Sequence, residues 1–128
     1  MRPTDSELDI LHVLWESGTA TVRTVNERLN AMRGDAREIG YTTTLKLMQI
    51  MFEKGLVSRE EEGRTHLYAA AVPREATQSL LLQDFVTNAF KGSTAQLVMQ
   101  ALGNHHASAE ELDEIKALIA KIEGEGNV

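Results

Sequence analysis

A mainly helical fold carrying one small β-hairpin is what this sequence predicts, on three observations. Apolar residues recur at helical spacing along most of the chain. The stretch Tyr41 to Tyr68, YTTTLKLMQIMFEKGLVSREEEGRTHLY, passes from a helix-forming run straight into two β-compatible runs. Beyond Pro73 only helical patterns follow. A helical body, a helix and an immediately following hairpin are the parts of a winged helix-turn-helix, with a further helical region after it.

Each element has local signals. Thr4-Asp5-Ser6-Glu7 has the capping-box form, which predicts a first helix from there to Ser17, with Gly18 ending it. Leu8, Leu11 and Trp15, with Val13 and Leu14 beside them, give that helix one apolar face. Thr21 caps a second helix in which Val22, Val25 and Leu29 share a stripe that Met32 extends. Arg33 to Gly40 reads as a polar loop. The third helix takes Thr42 or Thr43 as N-cap, packs Thr44, Met48 and Met51 inward, and ends at Gly55, where a left-handed residue fits. Leu56 to Arg59 and Thr65 to Ala69 then form the hairpin, separated by acidic residues and a Gly63 able to take positive φ. A lone hairpin is marginal in water, so this one must lean on the helices. Trp15 and Tyr68 are expected in the core, given their apolar surroundings and large area.

Pro at a first helical turn starts a helix better than it continues a strand, so Val72-Pro73-Arg74 divides the chain into 1–72 and 73–128. Three helices are expected after it, at about 74–90, 94–102 and 109–123, with a frayed tail from Gly124. Their apolar positions include Leu81, Phe85, Val86, Phe90, Leu97, Val98, Leu102, Leu112, Ile115, Leu118, Ile119 and Ile122. So short a segment cannot hide that much apolar surface alone, and burial against a second copy in a two-fold dimer is the economical solution.

Composition narrows the function. The chain has 128 residues and no cysteine, which excludes disulfides, thiolate metal sites and thiol nucleophiles. No apolar run approaches the ~18 residues of a membrane span, and no membrane insertion is expected. MRPTDSELDI carries charge where a signal peptide has its apolar core, which predicts a cytoplasmic protein. There is no glycine-rich phosphate loop or zinc-protease motif, so neither catalysis nor a cofactor is expected. His105-His106, near Glu110, Glu111, Asp113 and Glu114, invites a metal reading. A helix-capping loop with Ser108 and Glu111 as a second capping box is the plainer one, and no metal is expected. The net charge of −6 weighs against a nucleic-acid partner, although residues 1–72 carry only −2 and residues 73–128 carry −4.

LHVLWESGTATVRTVNERLN, GYTTTLKLMQIMFEKGLVSREEEGRTHLYAA, PREATQSLLLQDFVTNAFKGSTAQLVMQAL and SAEELDEIKALI together resemble the penicillinase-repressor family, which includes the methicillin-resistance and copper-operon repressors. The most specific match is the YTT opening, EKGLV exit and GRxxxY wing at family spacing. The resemblance implies a homodimeric repressor whose N-terminal winged helices bind a palindromic operator in double-stranded DNA and whose C-terminal helices dimerise. It further implies release by proteolysis in the dimerisation region, downstream of a membrane metallopeptidase sensor. The family's cleaved Asn-Phe pair falls on Gln100-Ala101 here, and the C-terminal cysteines of the copper-responsive members have no counterpart. Many members carry Lys or Arg where this chain has Gln49 and Ile50, so its operator sequence should differ.

Candidate DNA-contacting residues follow from the helix and the wing. Thr42 and Thr43 open the third helix, where hydroxyls and amides meet base edges or phosphates, or one of them merely caps. Lys46 lies one turn on and can reach a phosphate or a guanine edge; Gln49 can read adenine. Arg59 and Arg64, with His66, give the hairpin a cationic face for phosphate, unless Glu60, Glu61 or Glu62 neutralise it. Arg23, near the start of the second helix, could also touch the DNA backbone, although an ordinary exposed arginine is the plainer reading. The competing function is a winged-helix module that docks a protein and never touches DNA, favoured by the acidic balance and by Leu45 and Ile50 near the outer face.

Overall fold

The computed structural model describes residues 2–34, 36–104 and 106–126. Elements run α1 (Asp5–Ser17), α2 (Val22–Arg33), α3 (Tyr41–Lys54), β1 (Val57–Glu62), β2 (Thr65–Ala70), α4 (Arg74–Ala89), α5 (Thr94–Asn104) and α6 (Ala109–Gly126). They fall into two compact units, residues 1–82 and 83–128, so that α4 begins in one and ends in the other.

In the first unit the expected capping signals form as hydrogen bonds. Thr4 Oγ1 accepts from the Glu7 amide and Glu7 Oε1 accepts from the Thr4 amide, closing the capping box of α1. Thr21 caps α2 through the Thr24 amide, and Gly18 and Gly55 end α1 and α3 at φ 81° and 82°. α1, α2 and α3 close around Ile10, Leu11, Leu14, Val25, Leu29, Met48 and Met51, with Val57 and Tyr68 of the hairpin completing the core. Each such side chain contributes roughly 1.5–3 kcal/mol of transfer free energy. Met32 departs from expectation: it is 60% exposed, because the buried stripe of α2 ends at Leu29. Trp15 is only half-buried, its indole Nε1 donating to the Val72 carbonyl at 2.9 Å.

β1 and β2 pair antiparallel, with Arg59 opposite Tyr68 and Glu61 opposite His66. Glu60, Glu61 and Glu62 belong to β1 rather than to the connection, which is only Gly63-Arg64. Glycine first, at φ 64°, is the placement a type II′ hairpin turn takes. The hairpin is anchored by a feature the sequence did not announce. Ala20, between α1 and α2, exchanges two backbone hydrogen bonds with Tyr68 at 2.9 and 2.8 Å, adding a one-residue third strand.

In the second unit, α4 stops where Lys91 and Gly92 take φ 51° and 87°, and the Phe90 and Gly92 amides both donate to the Val86 carbonyl. Ser108 and Glu111 form the expected capping box of α6, whose reciprocal bonds are both 3.0 Å. α6 continues through Gly126, so Gly124 to Gly126 are helical rather than frayed; Asn127, Val128 and His105 lie outside the described residues. Val86 is buried, but among the described residues α5 and α6 bury none. No helix among the described residues is long and apolar enough to cross a membrane.

The C-terminal end of α3 is tied to the start of α1 by charge. Glu7, 2% exposed, accepts from Lys54 Nζ at 3.0 and 2.8 Å. Burial pushes its carboxyl pKa up, yet the hydrogen bonds from Lys54 and the Thr4 amide, with the Lys54 charge, outweigh it and leave the pKa lowered. A lowered folded-state pKa gives stability that is present above the unfolded carboxyl value of about 4.3 and is lost as pH falls through the folded value. Glu7→Gln should therefore cost about 1–3 kcal/mol in urea unfolding at neutral pH. The gap to the parent should close below about pH 4, and an undiminished gap there would rule out the ionic account.

Candidate nucleic-acid interface

α3 spends one stripe on the core, since Thr44, Met48 and Met51 are fully buried, and this turns the opposite side outward. At about 100° per residue, Thr42, Lys46 and Gln49 fall together on the side away from that stripe, flanked by Thr43 and Ile50. All five are exposed. The helix thus carries a hydroxyl, an ammonium and a carboxamide in one line, which are the groups that reach phosphates and base edges.

The start of α3 corrects one expectation. Its N-cap is Gly40, with no side-chain hydrogen bond to the cap, and neither Thr42 nor Thr43 fills that position. Both threonines sit one and two residues inside the first turn, so their hydroxyls are not committed to capping. What holds this end is polar and was missed in the sequence. Asn26 Nδ2 donates to the Ile39 carbonyl at 2.9 Å and to Thr44 Oγ1 at 2.8 Å. Asn30 donates to the same carbonyl at 3.0 Å and accepts from the Ile39 amide at 2.7 Å. Two asparagines four apart, both poor helix formers, were the available signal.

The wing comes beside this helix. Arg64 is exposed in the hairpin turn, so it does not alternate along a strand with His66 as expected. Arg59 and His66 do share a face, through the Arg59–Tyr68 and Glu61–His66 pairs. Arg59 lies 4.0 Å from the centre of the Phe52 ring, which stacks its guanidinium against the end of α3. His66 Nε2 approaches Glu61 Oε1 at 3.6 Å. Between α3, the start of α2 and the wing runs an open groove of about 500 Å³, reached by Arg23, Tyr41, Leu45, Gln49, Arg64 and His66. Among the described residues no group of three His, Cys, Asp or Glu side chains is placed to hold a metal.

Comparison with known proteins matches residues 3–121 to the penicillinase repressor family model. The transcriptional regulator BlaI of Mycobacterium tuberculosis is 29% identical over 125 residues, covering 96% of this chain and 87% of that protein. The penicillinase repressor of Bacillus licheniformis is 22% identical over 115 residues, covering 90% and 87%. A solved structure of an Escherichia coli MarR variant complexed with operator DNA superposes with a TM-score of 0.51 at 14% identity, covering 94% of this chain and 75% of that one. That likeness establishes a shared winged-helix fold.

Asn26→Ala should lower stability by about 1–3 kcal/mol, because it takes the donor from buried Thr44 Oγ1 and leaves the Ile39 carbonyl with Asn30 alone. A double-mutant cycle with Thr44→Val, followed by urea unfolding, should return a coupling of at least about 0.5 kcal/mol. Simple additivity would mean that the Asn26–Thr44 bond does not hold the turn.

Proposed function

The chain belongs to the penicillinase repressor family, and we propose that it is a dimeric DNA-binding transcriptional repressor that occupies a palindromic operator. The observation that carries this reading is the line of Thr42, Lys46 and Gln49 on the outer side of a helix held at both ends. Laid in a major groove, that line reads base edges, with Thr43 and the first-turn amides on the adjoining phosphates. Arg64 at the wing turn, and Arg59 from its stack on Phe52, supply phosphate contacts. Residues 1–72 do this work, and 73–128 pair two copies.

Dimerisation is supported by apolar surface that the second unit leaves uncovered. Phe85, Leu118, Ile119 and Ile122 are between 48% and 57% exposed, and Val98, Leu102 and Leu112 are exposed as well. Leu81, Phe90, Leu97 and Ile115 are half-buried beside them in sequence, and Val86 is buried. Such a patch on a single copy is an interaction surface. Two copies present two α3 helices to half-sites about 34–36 Å apart, or a multiple of that.

For release, we propose proteolysis in the C-terminal region downstream of a membrane metallopeptidase sensor, as the family resemblance implies. Gln100 and Ala101 are exposed but lie inside α5, so a cut there requires that helix to open first.

The test is a titration on the DNA upstream of the chain's own gene, at several salt concentrations and with non-specific competitor. Competitor-resistant binding that weakens steeply with salt supports the reading. The competing protein-docking module rests on the net charge of −6 and on Ile50, 37% exposed beside Lys46. It predicts no binding even at low salt. Lys46→Ala should weaken operator binding by about 1–3 kcal/mol with the thermal midpoint unchanged. Leu118→Ala should shift sedimentation toward monomer before it affects folding of residues 1–82, and an intact dimer would contradict the assignment of α6.

A further inference from the structure

We infer that the groove between α2, α3 and the wing is a seat for the sugar-phosphate backbone of one DNA strand, gripped by Arg23, whose plainer reading from sequence is an ordinary exposed arginine. The inference rests on the DNA-binding reading and deepens it.

Charge is the main argument. The chain holds 19 acidic against 13 basic residues, yet the described residues lining this groove include Arg23, Arg64 and His66 and no carboxylate. On the wing, Glu61 Oε1 lies 3.6 Å from His66 Nε2 with its side chain 82% exposed, and Glu62, opposite Thr65, is exposed as well. In an acidic protein, a cleft lined by two guanidinium groups and by no carboxylate fits an anion. The two guanidinium groups come from different elements, Arg23 from the first turn of α2 and Arg64 from the hairpin turn, and the His66 imidazole joins them from β2. They converge only in the folded chain.

Arg23 is pre-ordered for such a task. Its guanidinium carbon lies 5.9 Å from the centre of the Tyr41 ring, and that ring opens α3 and is itself exposed. The contact holds a planar fork of donors at the mouth of the groove, the geometry that suits a phosphate. Leu45 and Tyr68 supply an apolar wall suited to deoxyribose. Continuity fixes the occupant: Gln49 belongs both to this groove and to the outer line with Lys46, so a strand whose bases meet that line runs its backbone into the groove. A small aromatic anion would satisfy the same charges, and the test separates the two.

The experiment measures operator affinity against salt for the parent, Arg23→Ala and Arg23→Lys in the full-length protein. Removing one phosphate contact lowers the magnitude of the log–log salt slope by about 0.9, hence about 1.8 for a dimer. Arg23→Ala should show that change with operator and with random duplex alike, weakening binding at 0.1 M salt on the order of tenfold per groove. Arg23→Lys should restore the slope. If the parent binds DNA and Arg23→Ala leaves its slope unchanged, the inference fails while the repressor reading stands; if the parent binds no DNA, the repressor reading itself fails and takes the inference with it. Calorimetry of DNA-free protein with phenyl phosphate should give no heat of binding. Arg23-dependent heat together with an unchanged salt slope would instead make the groove a small-anion site and overturn the proposal.

Discussion

The carboxylate of Glu7 and the carboxamide of Asn26 hold the two ends of α3, and everything proposed for this protein depends on how that helix is aimed. A helix that offers most of its surface to another molecule can bury only a narrow stripe. Here the stripe is Thr44, Met48 and Met51. Packing along one stripe resists translation better than it resists tilt, so the ends must be fixed by directional bonds. Lys54 on Glu7 does this at the C-terminal end, and Asn26 on Thr44 and Ile39 does it at the other. Both devices are polar and partly buried, which makes them costly to leave half-made and therefore specific in register.

The same economy explains how an acidic chain can address an acidic polymer. Net charge governs long-range attraction, but contacts are made within a Debye length of about 10 Å. Within that range the outer line of α3 holds Lys46, and the groove beside it holds Arg23 and Arg64. Glu7 is folded away beneath Lys54. On the proposed reading, such an arrangement would trade non-specific affinity for discrimination, since little attraction would remain where the duplex does not fit.

Much of the fold was legible because its signals are local. Thr4 to Glu7, Thr21, Gly55, Gly63 and the Ser108–Glu111 pair each dictate backbone geometry within four residues, and each does so in the structure. What escaped was non-local or depended on degree. The Ala20–Tyr68 bridge joins residues far apart in sequence, and nothing in an alanine announces a strand. Met32 continued an apolar stripe past Leu29, where the buried stripe of α2 ends. The N-cap of α3 was misplaced onto a threonine because glycine caps through backbone alone and leaves no chemical signature. For the candidate site, helical spacing put Lys46 one turn on from Thr42 and Thr43, and these residues and Gln49 are exposed, whereas Arg23 meets Tyr41 only through the angle between two helices.

The central claim is that the outer line of α3 sits in the major groove of two symmetrically placed half-sites. Dimethyl sulfate footprinting of the protein on the DNA upstream of its own gene tests it most directly, since the reagent reports guanine N7 in that groove. The account predicts two protected clusters on one side of the duplex, centred about 10–10.5 base pairs apart or a multiple of that. Saturating protein that leaves every major-groove guanine reactive would contradict it.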